Sequence, residues 1–247
     1  MVPLAEIVKT GISGLDAMLY GGIPEGNQIV IAGGPGAGKT LISFEYLYRS
    51  AKMGITSVFF ALEETPERVL TNAKAAFPEF NDIDELIKSK KLIIDGEDPT
   101  TVLHGGSEGG TSQYEFGKVV ADIESVVVSS GAKRIVIDSL SVIDMLVSDP
   151  VVYRRSMLAL VNNLRRLGVT AFLTAEMANP ERRELRFKME YFVFDDIIIM
   201  YEKGEDEKRM LAMEVIKTRG SKHSFVTTPY EITPKGFNIV SAEEMGL

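Results

Sequence analysis

The sequence predicts an α/β fold around a mostly parallel twisted sheet, with helices on both faces and C-terminal antiparallel β-hairpins. Three observations carry that expectation. Short apolar, β-branched runs alternate with helix-length amphipathic segments through the first two thirds of the chain. The first strong run passes through a glycine-rich loop straight into a helix. The last third holds strand-like runs separated only by glycines and charged turns, which suits hairpins added to one edge of the sheet.

Taken in order, Ser13 is placed to cap a short helix to about Tyr20, with Leu15, Met18 and Leu19 on one face. GGIPEG, residues 21–26, turns the chain, and Gln28–Ala32 (QIVIA) reads as a buried strand. Leu41–Lys52 has helical spacing. Thr56–Leu62 (TSVFFAL) is a second strand. Thr65, Pro66 and Glu67 open a helix to about Phe77, in the cap, first-position and first-turn roles those residues favour. Lys91–Ile94 is a short strand, and His104–Ser112 is a glycine-rich loop. A helix from about Tyr114 leads to the strand Arg134–Asp138 (RIVID). The helix Val151–Leu167 leads to the strand Val169–Thr174 (VTAFLT). Asp196–Tyr201, Arg209–Thr218 and Phe225–Ile232 are the strand-like runs of the last third. No repeat or linker divides residues 1–247, so they read as one domain.

Composition narrows the chemistry. The 247 residues contain no cysteine and two histidines, His104 and His223. That removes disulfides and thiolate catalysis, disfavours a zinc site, and suits a reduced cytoplasmic setting. The net charge of −8 gives no global footprint for nucleic acid. No apolar run approaches the roughly 20 residues needed to span a bilayer, and no signal peptide is visible, so no membrane partner is expected.

The most specific signal is GGPGAGKT at Gly33–Thr40, which fits G-x-x-x-x-G-K-[ST] between a strand and a helix. Glycines let successive backbone N–H groups turn toward one point, where the helix dipole adds positive potential. The expected phosphate-contacting set is Gly34, Pro35, Gly36, Ala37, Gly38, Lys39, Thr40 and Leu41. Lys39 reaches the terminal phosphates, and the Thr40 hydroxyl is a Mg²⁺ ligand. Asp138 ends an apolar strand at the sheet's ligand-binding rim and becomes the second half of the metal site. Glu63 and Glu64 follow a strand directly. One of them is placed to orient a water in line with the terminal phosphate; both also suit the N-terminal dipole of the Thr65 helix.

One stretch resists a local explanation. IKTRGSKHS, residues 216–224, packs Lys217, Arg219, Lys222 and His223 together in an acidic chain.

These pieces, with TGISGLDAMLYGGIPEG, FALEETPERV, RIVIDS, FLTAE and KTRGSKHS, make the chain resemble a RecA-superfamily P-loop ATPase, specifically a single-domain KaiC-like protein of the archaeal kind. The resemblance spans nearly the whole chain. It implies a RecA-like core that binds ATP or ADP with Mg²⁺ and hydrolyses ATP slowly. It implies Glu63 as the catalytic base with Glu64 its acidic neighbour, Asp138 at the Walker B position, and Glu176 near the γ-phosphate sensor. Lys217, Arg219, Gly220 and His223 match a K-x-R-G-x-x-H turn that reaches a neighbouring subunit's ATP, with Ser221 inside it. On this reading Lys217 and Arg219 act in trans as an arginine finger does, and the implied partner is the chain itself in a hexameric ring. KaiC proper carries two tandem ATPase domains where this chain has one, so no circadian role is expected and the implied role is regulatory or signalling.

Two alternatives stay open. A single-stranded-DNA-stimulated repair accessory would use loops at about Ser139–Arg155 and Ala178–Phe192. The second of these interleaves Arg182, Arg183, Arg186 and Lys188 with Phe187. Glu181, Glu184 and Glu190 nearly balance those cations, which favours a solvated loop lining a ring pore. An ATP-switched scaffold for an unknown protein partner is the other alternative.

Overall fold

The structure is a computed structural model that describes residues 6–96, 112–147, 149–177, 189–203 and 210–240. Its centre is a nine-stranded sheet. The strands in chain order are β3 (Gln28–Gly33), β4 (Ser57–Ala61), β5 (Leu92–Gly96), β6 (Arg134–Asp138), β7 (Thr170–Glu176), β8 (Asp196–Lys203), β9 (Met210–Lys217), β10 (Thr228–Thr233) and β11 (Gly236–Ile239). Across the sheet they lie in the order β11-β10-β9-β8-β3-β7-β6-β4-β5. β3 through β8 run parallel, and β9, β10 and β11 follow as an antiparallel meander. A two-residue ribbon, β1 (Ile7–Val8) with β2 (Ile23–Pro24), stands apart.

Side chains alternate across a strand, so each central strand feeds two cores. Ile29, Ile31, Phe59, Val136 and Phe172 face α2 (Lys39–Lys52), α3 (Pro66–Ala76) and α4 (Ile83–Lys88). Val30, Val58, Ile135, Ile137 and Leu173 face the other way, onto α5 (Ser112–Ser130), α6 (Leu140–Leu146) and α7 (Pro150–Leu167). This is the layered α/β arrangement the alternating sequence predicts.

Several expectations hold in detail. Thr65 Oγ1 accepts the Arg68 N–H at 3.4 Å, with Pro66 opening α3. The helix expected at Val151–Leu167 is α7, with a cap the sequence reading did not name: the Asp149 carboxylate accepts from the N–H groups of Val151 and Val152 at 2.9 Å. α7 ends at Gly168, in the left-handed region at φ 68°.

Others need correction. Ser13 is the first residue of α1 (Ser13–Met18) and makes no cap. Asp16 braces the entry instead, accepting from Thr10 N–H at 2.7 Å and Gly11 N–H at 3.2 Å. The expected loop at 139–155 is largely helical, formed by α6 and the start of α7, because Leu140, Val142 and Ile143 bury against the sheet. α4 and β11 carry only faint local signals. β8, which the sequence groups with the hairpins, runs parallel to β3 on one edge and antiparallel to β9 on the other, so it joins the parallel sheet to the hairpins. The last long strand starts at Thr228, leaving Phe225 exposed. Of the loops expected at 104–112 and 178–192, residues 104–111 and 178–188 lie outside the described residues, Ser112 opens α5, and residues 189–192 fall in a short 3-10 helix, Met189–Val193.

Candidate active site

The C-terminal ends of β3, β4, β6 and β7 meet at one rim, and most of the expected site residues gather there. Gly33 ends β3, paired with Glu176 on β7 and Met200 on β8. A Cβ built on Gly33 would lie 2.6 Å from the Met200 carbonyl oxygen, so only glycine allows the strands to close at the loop's root. Gly34, Pro35, Gly36 and Ala37 form the turn, with Ala37 N–H donating to Gly34 O at 3.3 Å. Gly38, at φ 88°, precedes the first turn of α2, which opens with Lys39, Thr40 and Leu41. Pro35 and Gly36 are exposed at the loop's tip.

Lys39 folds back along the loop. Its Nζ donates to the carbonyls of Gly33 at 3.1 Å and Gly34 at 3.0 Å. Burial pushes the ammonium's pKa below the usual lysine range, and the charges of Glu176, Asp138 and Glu63 oppose that shift. A partly desolvated cation beside three carboxylates is poised for a polyanion.

Asp138 is buried at the end of β6. The Thr40 hydroxyl donates to its Oδ2 at 2.8 Å, and the Thr174 hydroxyl donates to its Oδ1. Burial raises the Asp138 carboxyl above the usual range. The two hydroxyls and Lys39 pull it down, and Glu63 adds to the rise. Among the described residues no three His, Cys, Asp or Glu side chains cluster as metal ligands. Thr40 and Asp138 offer one hydroxyl and one carboxylate, the sparse protein set that Mg²⁺ takes when phosphate and water supply the remaining ligands.

The acidic pair separates. β4 and β6 pair Ala61 with Asp138, and Glu63 N–H reaches Asp138 O at 3.3 Å, so Glu63 stands beside the metal-type carboxylate. Its side chain is exposed at the rim and accepts from Ser139 Oγ at 2.6 Å. Glu64 turns toward α3, accepting from Asn72 Nδ2 at 2.9 Å with Arg68 Nε at 3.6 Å. The two glutamates, adjacent in sequence, thus face different partners, Glu63 beside β6 and Glu64 along α3. Glu176 is exposed at the end of β7, its N–H donating to Ser141 Oγ at 3.1 Å.

The cationic turn lies elsewhere. Lys217 ends β9 opposite Ile197, at the start of β8, and Asp196 pairs with Ile29 near the start of β3. Ile29 and Gly33 are four residues apart, about 13 Å along the strand at 3.3 Å per residue. The turn therefore sits at the far end of the sheet from its own loop. Lys217 Nζ donates to Phe194 O at 2.5 Å. Arg219 N–H donates to Asp195 O at 3.2 Å and Asp196 Oδ1 at 3.1 Å, and its Nη2 donates to Phe192 O at 3.1 Å. Asn27 Nδ2 donates to both Arg219 O and Asp196 Oδ1. Gly220 turns the chain at φ 83°. Ser221 and His223 then line a cleft of about 680 Å³ with Tyr20, Thr218, Lys222 and Phe225.

Sequence reasoning passed over Ser139, Thr174, Asp195 and Asp196 as working parts. Ser139 and Thr174 carry only a hydroxyl near a strand end as a signal. The Asp195-Asp196 pair opening an apolar strand was the more legible sign. No helix among the described residues is long and apolar enough to cross a membrane.

A parallel sheet with a lysine-bearing glycine loop after its central strand, and an aspartate closing a neighbouring strand, defines a RecA-like P-loop ATPase. The chain belongs to the KaiC family of ATPases, whose family model, "ATPase: KaiC", matches residues 8–244. Among solved structures it is similar to a KaiC-like protein from the hyperthermophilic archaeon Pyrococcus horikoshii, with a TM-score of 0.79 and 28% identity over 95% of this chain and 99% of that one. A UPF0273 protein of Aeropyrum pernix is 31% identical over 94% of this chain and 93% of its own length. The circadian clock protein KaiC3 of Synechocystis is 32% identical over 93% of this chain but only 44% of its own length. The chain thus spans about half the length of the clock relatives it matches.

Proposed function

We propose that residues 1–247 form one Mg²⁺-dependent ATPase domain, slow in turnover, that works as a homo-oligomeric ring with nucleotide sites shared between neighbours. The observation that carries this reading is the split between the two halves of the expected site. Loop, Asp138 and Glu63 converge at one end of the sheet, and Lys217 and Arg219 lie at the other. The split sets the cationic turn at the other end of the sheet from its own protomer's loop, which supports a partner in a neighbouring subunit. A head-to-tail neighbour reunites the halves, and such an interface closes into a ring when its rotation permits; six subunits is the number the family resemblance favours.

The residues fit ATP and magnesium. The glycine loop with Gly36 and Gly38 in the left-handed region suits a cradle of amides for phosphate. The Thr40–Asp138 hydrogen bond joins two oxygens that would hold the cation, Thr40 directly and Asp138 from behind it. Magnesium, when bound, neutralises phosphate charge. Lys39 leaves its loop carbonyls for the terminal phosphates. Glu63, steadied by Ser139, orients the attacking water and takes its proton, and Glu64 stays with α3. Lys217 and Arg219 of the adjacent subunit stabilise the charge that develops on the phosphoryl oxygens. Ser221 and His223 flank the same nucleotide from the neighbour's side. A regulatory or signalling role is supported by the names of relatives concerned with circadian timing.

The test is ATP turnover per subunit against protein concentration, with Mg²⁺ present. The expected result is a rise to a plateau as subunits assemble. A constant rate far below the assembly concentration overturns the shared site. Bound ATP without turnover at any concentration selects an ATP-switched scaffold instead.

A further inference from the structure

Tyr230 stands on β10, and its hydroxyl donates to the backbone carbonyl of Ala37 inside the glycine loop, 193 residues away in sequence. Both residues are buried. The same hairpin presses on the loop with two more side chains. A Cβ built on Gly38 would lie 2.8 Å from Ile232 Cδ1 and 3.1 Å from Phe237 Cζ. The hairpin is fastened in turn to the helix that leaves the loop. Phe237 N–H donates to Glu45 Oε2 at 2.6 Å, and Arg49 Nη2 donates to Lys235 O at 2.8 Å. β10 and β11 therefore form the loop's outer wall.

The Ala37–Gly38 peptide is planar and trans, so its N–H points opposite to its carbonyl. With the Ala37 carbonyl held toward Tyr230, the Gly38 N–H is turned away from that hydroxyl. A cradle of backbone amides binds an anion only when its N–H groups face one point. Glycine supplies the freedom to reach that arrangement but nothing that selects it.

We propose that Tyr230 is a positioning residue for the phosphate cradle, acting through the Ala37 carbonyl to fix the Gly38 N–H in its binding orientation. The proposal rests on the phosphate-binding reading of the loop. The hydroxyl is well suited to hold that carbonyl, because burial and the charge of Glu202 push its pKa above the ordinary tyrosine range and it remains a donor at working pH. The loop's geometry is thus set partly by the C-terminal meander, the element whose first strand carries Lys217.

The test compares Tyr230→Phe with wild type in the full chain. The readouts are ADP and ATP affinity by calorimetry, KM and kcat, and the melting temperature without nucleotide. Tyr201→Phe, which deletes another buried hydroxyl bonded to Glu214, is the control for stability alone. Tyr230→Phe is expected to bind both nucleotides about tenfold more weakly, the scale of one buried hydrogen bond, and to raise KM more than it lowers kcat. Tyr201→Phe is expected to shift only the melting temperature. Unchanged affinity in Tyr230→Phe, whatever its melting temperature, overturns the positioning role and leaves the phosphate loop standing. Absence of nucleotide binding by wild type overturns both.

Discussion

Lys39 and Arg219 stand at opposite ends of one sheet: Lys39 opens the helix that follows the C-terminal end of β3, and Arg219 is bonded to the Asp195–Asp196 corner beside the start of that strand. Both cations suit the same anion, yet the strand register keeps them apart within a chain.

Mixing two defective subunits tests whether a neighbour brings them together. Lys39→Ala removes the loop cation, and Arg219→Ala removes the cation proposed to act on a neighbour's nucleotide. Each alone is expected to be nearly inactive. An equal mixture, allowed to reassemble at random, is expected to recover about a quarter of wild-type turnover, because about that share of interfaces joins an intact loop to an intact finger. No recovery from subunits shown to co-assemble would argue that both residues serve one protomer's site.

Glu63 and Glu64 are adjacent in sequence and unequal in place. Glu63→Gln keeps the side chain's shape and removes its basicity. Turnover should fall by about 10²–10⁴-fold with ATP affinity nearly unchanged. Glu64→Gln still accepts from Asn72 and should alter turnover by less than about threefold, since its neighbours are exposed α3 side chains. Single-turnover kinetics with bound ATP distinguish the two, and equal losses would contradict the assignment.

Asp196 gives a pH dependence of stability. Burial lifts its carboxyl to about 7, and the Asp195 charge adds to that. The Asn27 side chain, the Arg219 N–H and the Lys217 charge favour the ionised form and only partly offset the rise. Between about pH 4 and pH 7 the folded chain keeps a proton that the unfolded chain has released, so this group's contribution favours folding at low pH and is lost as pH rises through 7. Asp196→Asn cannot ionise. Denaturant unfolding should show the variant gaining on wild type between pH 5 and pH 8 by on the order of 2 kcal/mol. An equal difference at the two pH values would show that Asp196 stays ionised.

Gly33→Ala probes the close approach of β3 and β8. The added methyl would meet the Met200 carbonyl oxygen at 2.6 Å, a backbone atom in a central strand that cannot swing aside. The variant is expected to lose about 1–3 kcal/mol of stability, the usual cost of overpacking. ADP affinity should fall with it because the loop's root moves. A thermal melt and a titration check the two effects, and wild-type values in both would mean that the strands separate freely there.

The chain alone determined the elements whose signals are local. GGPGAGKT between an apolar run and a helix, the Thr65-Pro66 helix start, and the RIVID strand ending in Asp138 are all readable within a dozen residues, because caps, φ preferences and side-chain periodicity act over one or two turns. The basic turn was legible as a group seeking an anion, though not its distance from its own loop. Only the tertiary structure decided the long-range relations. It set β8 parallel beside β3, drew the Thr174 hydroxyl onto Asp138, turned Glu63 toward Ser139 and Glu64 toward Asn72, and laid Tyr230 against Ala37. Those choices depend on strand order and register, which are fixed by how two cores fill on either side of one sheet, and no short stretch of sequence records that packing.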